Sequence, residues 1–296
     1  MANLKEVRVR ITSVNTTQQI TKAMKLVAAS KLKRAQDRIL MMRPYSEKLN
    51  EILSNIMSNL GAGVNMAFNR EREAKNILIV LVTSDKGLCG GFNSNLIKTA
   101  KAVINDRYAT QKKNKGLTLL CVGKKGYEFF KKDTDLKMIG DYVSLMQGVN
   151  FESSKAVSEM LMKDFSNEKY DVIELIYSQF VNAATQKFKV ERFLPVAPPK
   201  EKKENKAKAD YIFEPEKETL LLELVPKILN TQFFKSLLDT NASEHGARMV
   251  AMDSATNNAN ELIRNLKIQY NRERQAAITK EILEIVGGAA ALEEGN

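Results

Sequence analysis

In this sequence, the stretch TSDKGLCGGFNSN (83–95) most closely resembles a ligand-binding loop in its composition. It follows a short apolar run and precedes a helical stretch, and glycine amides at the start of a helix bind phosphate groups. A nucleotide-binding loop, however, needs either Gly-Lys-Ser/Thr at its end or the spacing Gly-x-Gly-x-x-Gly. Here Lys86 precedes the three glycines, Gly87, Gly90 and Gly91. The spacing therefore favours a structural turn over a nucleotide site.

Residues that could bind a metal or act as nucleophiles are few and far apart. His245 is the only histidine, and we expect it to pack or hydrogen-bond on a helix. Cys89 and Cys121 match no metal-ligand spacing, so we expect two buried, reduced thiols. Paired carboxylates such as Glu281 and Glu284 fall on helical stretches, where a solvated face is the ordinary interpretation. The sequence thus predicts no catalytic residues, no metal site and no cofactor.

The charge of the chain is positive and unevenly distributed. The formal net charge is +11 over 296 residues, and in residues 1–50 Lys and Arg outnumber Asp and Glu by eleven to three. A basic segment of this kind attracts nucleic acid, anionic lipid or acidic protein loops. Tyr45 is the only aromatic residue in the same segment, which disfavours nucleic acid because single-stranded bases are held by aromatic stacking. The start MANLKEVRVRIT has no apolar signal core and no apolar run approaches the length of a membrane span, so we expect a soluble, cytoplasmic protein.

Both terminal segments have helical periodicity. Apolar positions recur every three or four residues from Leu4 to Met42 and from Leu238 to Tyr270, a spacing that keeps one stripe facing a partner helix. The predicted helices cover residues 1–60 and 218–292, and at about 1.5 Å per residue they are roughly 90 and 110 Å long. Neither can be buried along its length by a core of its own. We therefore predict that the two pair as a long antiparallel coiled coil.

The N-terminal stripe changes character near its middle. It becomes polar at Gln18, Thr21 and Lys25, while apolar residues move to a neighbouring face. Small residues nearby allow the other helix to approach closely, but they do not explain Lys22, Met24 and Lys25. We expect those three side chains to be free to contact a third body.

Between the helices the hydrophobic period shortens. Apolar, β-branched runs at 76–84, 117–123, 171–180 and 188–196 alternate with helical stretches at 93–112, 124–132 and 151–166. This alternation predicts an inserted, Rossmann-like α/β domain over residues 70–200 with a largely parallel sheet. The proline- and lysine-rich stretch that follows predicts a charged linker over 201–217.

Four separated motifs resemble those of one family in the same order along the chain. They are ITKAMKLVAASKLKRAQ (20–36), SDKGLCGGFN (84–93), ASEHGARMVAMDSATNNA (242–259) and YNRERQAAITKEILEIVGGAAAL (270–292). The chain is similar over its whole length to the gamma subunit of F-type ATP synthase, the central rotor shaft. The resemblance implies a non-catalytic shaft held inside a hexamer of alpha and beta subunits. It implies further contacts with the epsilon subunit and the ring of c subunits, and a peripheral location at the cytoplasmic face of a bacterial inner membrane.

The resemblance also implies which residues contact partners. By their positions in the motifs, loops of the beta subunits would contact Lys22, Met24, Lys25, Arg248, Arg274, Gln275 and Thr279. The C-terminal helix is longer than its partner by roughly fifteen residues, or about 20 Å. Its end would therefore run on as a single helix with an apolar stripe that turns inside a hydrophobic sleeve. The stripe consists of Ile278, Ile282, Ile285 and Val286.

Two other classes of protein stay open on the residues alone. A non-rotary coiled-coil adaptor or nucleic-acid-binding hairpin would also have long helices and a basic segment. An enzyme that uses the α/β domain is the third possibility, although the spacing of the glycines disfavours it.

Overall fold

The chain begins and ends in long helices with a sheet between them in the sequence. The computed structural model describes residues 4–60, 68–196 and 217–294. Helix α1 spans Leu4–Leu60 and the last helix, α6, spans Lys217–Glu294. The prediction of a long N-terminal helix, a central sheet and a long C-terminal helix is confirmed. The predicted linker at 201–217 lies outside the described residues except for Lys217, and the boundaries at 60, 70, 200 and 218 stay predictions.

The described chain forms two compact units. The smaller unit comprises Met1–Val27 and Met249–Asn296, and the larger unit comprises Ala28–Arg248. Each long helix therefore contributes one segment to each unit.

The larger unit contains the sheet and the short helices. Its strands are β1 (Ile77–Val82), β2 (Leu117–Val122), β3 (Lys137–Ile139), β4 (Val172–Phe180) and β5 (Gln186–Leu194). Its short helices are α2 (Phe92–Arg107), α3 (Ala109–Lys113), α4 (Lys124–Phe130) and α5 (Phe151–Ser166), with a 3-10 turn at Val143–Gln147.

The strands lie in the order β3-β2-β1-β4-β5. β1 pairs in parallel with β2 and β4, β2 pairs in parallel with β3, and β5 pairs antiparallel with β4. The observed sheet is thus largely parallel, as the sequence predicts. Only residues 181–185 separate β4 from β5, and so short a connection permits a hairpin but not a parallel crossover. The sequence pattern does not predict β3, because three residues are too few to show a hydrophobic period.

The core of the larger unit lies on both faces of the sheet. Every residue of β1 and β2 is buried, as is usual for parallel strands covered on both sides. On one face Ile77, Ile79 and Leu81 pack in a cluster with Phe92 and Leu96 of α2. The alternate residues of β1 are equally buried, so the opposite face is covered as well.

Helix α6 packs closely against the β4–β5 hairpin. A Cβ added to Gly246 would lie 3.0 Å from the Ala183 carbonyl oxygen, so an alanine there would require the hairpin backbone to move by a few tenths of an ångström. Ser243 Oγ donates to the Ser178 carbonyl oxygen at 3.2 Å. The glycine inside a long helix is therefore explained by this close approach rather than by a helix break.

Candidate interaction surfaces

In the smaller unit, three polar side-chain pairs join α1 to α6. They are Gln18 Nε2 to Asn260 Oδ1 at 2.5 Å, the hydroxyls of Thr21 and Thr256 at 2.8 Å, and Lys25 Nζ to Asp253 Oδ1 at 2.5 Å. As the residue number rises along α1 it falls along α6, so the two segments run antiparallel here. The polar interruption of the N-terminal stripe is therefore a hydrogen-bonded layer between the helices.

The Lys25 side chain has a partner within the chain. The expectation that it lies free is wrong, because its ammonium group forms an ion pair with Asp253 across the two helices. No single-sequence pattern indicates this pair, since the residues are 228 positions apart. Both side chains remain partly exposed, at 40% and 47%, so an additional contact from outside is sterically possible.

Beside this layer, α1 has a face that its own chain leaves uncovered. Ile20 and Val27 are exposed, Lys22 is exposed, and Met24 is half-buried. Ile20, Met24 and Val27 are spaced by four and three residues, which places them on one side of a helix. This side combines apolar and cationic groups and could bind a partner with acidic and apolar side chains.

Helix α6 is exposed on all sides from Arg274 to Ala289. Ile278, Ile282, Ile285 and Val286 are 47%, 53%, 72% and 59% exposed. Arg274, Gln275 and Thr279 are exposed too, and Thr279 Oγ1 donates to the Gln275 carbonyl oxygen at 2.9 Å. The spacing of the three isoleucines gives an apolar stripe, and Gln275 and Thr279 lie one turn apart. This segment is therefore an uncovered amphipathic helix with a small polar group at its base.

Arg248 lies inside the larger unit rather than on a surface. It is 9% exposed, and its Nη1 donates to Glu244 Oε1 at 2.6 Å. Its Nη2 donates to the carbonyl oxygens of Lys86 and Gly87, both at 3.1 Å. The guanidinium group thus connects α6 to the loop between β1 and α2. Its predicted contact with a beta subunit stays a prediction, and in this structure its donors bind groups of the same chain.

Burial shifts the pKa values of the two groups beside Arg248. Burial raises the pKa of Glu244, and the charge of Arg248 opposes that rise. Burial, with a smaller contribution from the charges of Arg248 and Lys31, lowers the pKa of His245 to about 4. His245 Nδ1 lies 3.4 Å from Arg248 Nη1. A neutral imidazole at neutral pH keeps a second positive charge away from the guanidinium group.

The loop that Arg248 reaches is also held by short-range side-chain contacts, both within the loop and from Asn93 at the start of α2. Asn93 Nδ2 donates to Ser84 Oγ at 2.7 Å and to Cys89 Sγ at 3.3 Å. Ser84 Oγ donates to the Lys86 carbonyl oxygen at 2.8 Å. Leu88 at the loop apex is 65% exposed, whereas Cys89 next to it is 2% exposed. These contacts support the interpretation of this stretch as a structural turn.

Some of these contacts could have been found in the sequence and others could not. Glu244 and Arg248 are four residues apart on a predicted helix, which is the ordinary spacing of a helical ion pair. The acceptors on Lys86 and Gly87 are backbone oxygens, which every residue has, so no residue type marks them. Asp253, Thr256 and Asn260 likewise become recognisable only when the register of the two helices is known.

Two classes of site are missing from the part of the chain that the structure describes. Over residues 4–60, 68–196 and 217–294, no group of three His, Cys, Asp or Glu side chains is placed to hold a metal ion. Among the helices of that part, none is long and apolar enough to cross a membrane.

The fold and its surfaces define a class of protein, a helical scaffold in which an α/β domain is inserted between two long terminal helices. A family model described as ATP synthase matches residues 3–292. The ATP synthase gamma chain of Cytophaga hutchinsonii is 52% identical over 294 residues, with 99% of each chain covered. The gamma chain of Chloroherpeton thalassium is 46% identical over 303 residues, again with 99% of each covered. The chain therefore belongs to the ATP synthase gamma-chain family.

Solved structures agree with this assignment. A chain of the central stalk and c-ring structure of the Tetrahymena thermophila mitochondrial ATP synthase is 27% identical, with a TM-score of 0.58 over 80% of this chain and 99% of that one. A chain of the Euglena gracilis mitochondrial ATP synthase has a TM-score of 0.70 over 99% of this chain and 95% of that one. At 21% identity, the second likeness bears on the fold alone.

Proposed function

We propose that this chain acts as the rotating shaft of an ATP synthase, with α1 and α6 paired as an antiparallel coiled coil inside a ring of three alpha and three beta subunits. As a member of the gamma-chain family, it is a non-catalytic central-stalk subunit of the synthase. The antiparallel polar pairs between α1 and α6 support the coiled coil. The presence of a c ring beside the central stalk in the Tetrahymena structure supports a c ring as the partner at the other end.

The proposed activity is mechanical coupling. Ion flow turns the c ring, and the shaft turns with it. Because two helices are not three-fold symmetric, each beta subunit meets a different side of the shaft. A rotation can then favour the open or the closed state of each beta subunit only through contacts that differ between those states. The α/β domain would connect the shaft to the epsilon subunit and the c ring.

The observation that carries this proposal is the uncovered C-terminal end of α6. Its isoleucines are exposed although fully burying one such side chain is worth about 1.5–3 kcal/mol. A surrounding sleeve would remove them from water. Apolar contacts have no preferred direction, so a sleeve of this kind would hold the helix without fixing its rotational position. Ile278, Ile282, Ile285 and Val286 are the proposed sleeve contacts.

Polar residues are the proposed contacts that do distinguish one rotational position from another. Arg274, Gln275 and Thr279 lie at the base of the exposed stripe and would bind a loop of a beta subunit. Lys22, Met24 and Lys25 would bind acidic beta-subunit loops near the polar layer of α1. Each exposed charge pair is worth about 1 kcal/mol or less, so these contacts would bias the position of the shaft rather than lock it.

In this proposal, the cellular location of the chain follows from its assembly into the synthase. The chain would lie at the cytoplasmic face of a bacterial inner membrane, attached to it through the c ring and the rest of the complex.

Reconstitution tests the proposal. Alpha and beta subunits from the same source should hydrolyse ATP cooperatively when the full chain is added. A chain truncated after Thr279 should couple hydrolysis to rotation less efficiently, because it loses three of the four sleeve contacts. Gln275→Ala should have a milder effect, and Lys280→Gln serves as the control because Lys280 belongs to neither proposed group. Unchanged coupling in both test variants would contradict the proposed contacts.

A nucleic-acid titration separates the adaptor or nucleic-acid class from the shaft. Tight binding of DNA or RNA that falls steeply with salt, together with no binding to the alpha–beta ring, would overturn the shaft function.

A further inference from the structure

We propose that Arg248 is a positioning residue that fixes the loop between β1 and α2 (residues 83–91), so that Leu88 is held outward and Cys89 inward. This inference concerns the chain alone and does not depend on the shaft function. Arg248 is buried and its donors bind groups of the same chain, so it is suited to stabilise this loop.

The loop has a backbone conformation that its residues do not favour by themselves. Leu88 has φ 62° and Gly90 has φ 60°. A leucine seldom occupies this left-handed region, so surrounding contacts must hold it there. Packing of the Leu88 side chain in the core does not hold this conformation, because the side chain is 65% exposed.

Besides Asn93 of α2, contacts from outside the loop reach it on two sides. On one side the amide of Lys124 donates to Asp85 Oδ1 and the amide of Lys125 donates to the Ser84 carbonyl oxygen, both at 3.1 Å. These bonds fix the beginning of the loop. On the other side Arg248 Nη2 donates to the carbonyl oxygens of Lys86 and Gly87, directly before Leu88. Arg248 therefore acts on the part of the loop where the unusual conformation begins.

The chemistry of the guanidinium group suits this task. Its donors lie in a fixed plane, so one nitrogen can serve two neighbouring carbonyl oxygens while the other serves a carboxylate. Glu244 Oε1 occupies the second nitrogen at 2.6 Å and thereby orients the group. A lysine has a single ammonium nitrogen on a flexible chain and cannot reproduce this arrangement.

The two cysteines make it possible to distinguish opening of the loop from unfolding of the larger unit. Cys89 lies in the loop, where its Sγ accepts from Asn93 Nδ2, and Cys121 lies in β2, an interior strand of the sheet. Both are buried and free. Opening of the loop alone would expose Cys89, whereas unfolding of the larger unit would expose both thiols.

The test is the rate of thiol labelling in the full chain under native conditions. Arg248→Gln should accelerate labelling of Cys89 roughly tenfold or more, because charge-assisted hydrogen bonds to the loop are lost, and should leave Cys121 unchanged. Arg248→Lys and Glu244→Gln should give smaller accelerations of Cys89 alone. Hydrogen exchange of the amides at 86–91 should rise in the same order.

Val157→Ala is the matched control, because Val157 is 1% exposed in α5 and its truncation weakens the larger unit without touching the loop. It should accelerate labelling of Cys121, because unfolding of the larger unit becomes more frequent, and should not accelerate Cys89 more than Cys121. A wild-type Cys89 rate in Arg248→Gln would overturn the inference. Equal acceleration of both thiols in that variant would overturn it as well, because Arg248 would then support the whole unit. If Arg248→Gln does not fold, the Arg248→Lys and Glu244→Gln rates decide in the same way.

Discussion

Two segments of α6 have the same backbone conformation and opposite surroundings. Between Val225 and Arg248 most side chains are buried, whereas every side chain described from Arg274 to Ala289 is exposed. Backbone hydrogen bonds are local in both segments, so the difference lies in tertiary packing. The first segment draws its stability from this chain. The second has an apolar stripe that no described residue of this chain buries.

The largest expected effect concerns this difference directly. Phe233 is fully buried in the first segment, with its ring 6.2 Å from that of Phe193. Phe233→Ala should lower the free energy of unfolding by about 3–5 kcal/mol, because it removes a buried aromatic ring and leaves a cavity. Ile282→Ala, in the exposed segment, should change it by about 0.5 kcal/mol or less. Urea denaturation of the full chain measures both.

In the assembled complex the order of the two effects should be reversed, with Ile282→Ala having the larger effect on binding. There Ile282→Ala should weaken binding of the shaft to the alpha–beta ring, whereas a correctly folded Phe233→Ala chain should bind normally. A large loss of stability in Ile282→Ala as an isolated chain would contradict the description of its segment as uncovered.

A second effect arises from two ionisable groups in the buried segment that respond to pH in opposite directions. Burial raises the pKa of Asp239 to about 6, against the opposing effects of Lys235, Arg43, the Phe180 amide and Lys189. The native state therefore binds more protons than the unfolded state from about pH 6 down to the ordinary value of 3.8, and stability rises as the pH falls through that window. His245 behaves oppositely because its pKa falls from 6.5 to about 4. Below pH 6.5 the unfolded state binds the additional proton, and stability falls.

The variants Asp239→Asn and His245→Gln should reveal the two contributions separately. Compared with Asp239→Asn, the wild type should lose about 2.5 kcal/mol of stability between pH 4 and pH 7. Compared with His245→Gln, it should gain about 3 kcal/mol over the same range. Denaturation at several pH values measures both differences. A difference that stays constant with pH for either variant would show that the corresponding group titrates normally.

The smallest expected effect concerns the polar layer between α1 and α6. Lys25→Gln should cost less than about 1 kcal/mol, because both members of the Lys25–Asp253 pair are partly exposed. The cost should shrink further at 1 M salt, where the Debye length is about 3 Å. Lys22→Gln removes a charge from an exposed position on the same helix and controls for the general loss of charge. A cost in Lys25→Gln no larger than in the control would mean that the ion pair contributes nothing measurable.

Much of the fold could be predicted because its patterns are local. The long helices follow from apolar residues at intervals of three and four, and β1, β2 and β4 follow from compact apolar runs of the kind that parallel strands require. The exposed end of α6 could be predicted from helix length alone. The strand β3 could not, since it is three residues long and has only partly buried or exposed side chains.

The sequence by itself indicated the family, through four motifs that resemble those of the gamma chains in the same order. It also determined the two long helices, the largely parallel sheet and the apolar stripe at Ile278, Ile282 and Ile285, because each of these is encoded by the type and spacing of nearby residues. Only the tertiary structure decided that Lys25 pairs with Asp253 and that Arg248 binds the carbonyl oxygens of Lys86 and Gly87. The physical reason is that these contacts join residues far apart in the chain, and in the case of Arg248 the acceptors are backbone atoms common to every residue. A spacing rule cannot single out such partners, and the packing of α6 against its neighbours does.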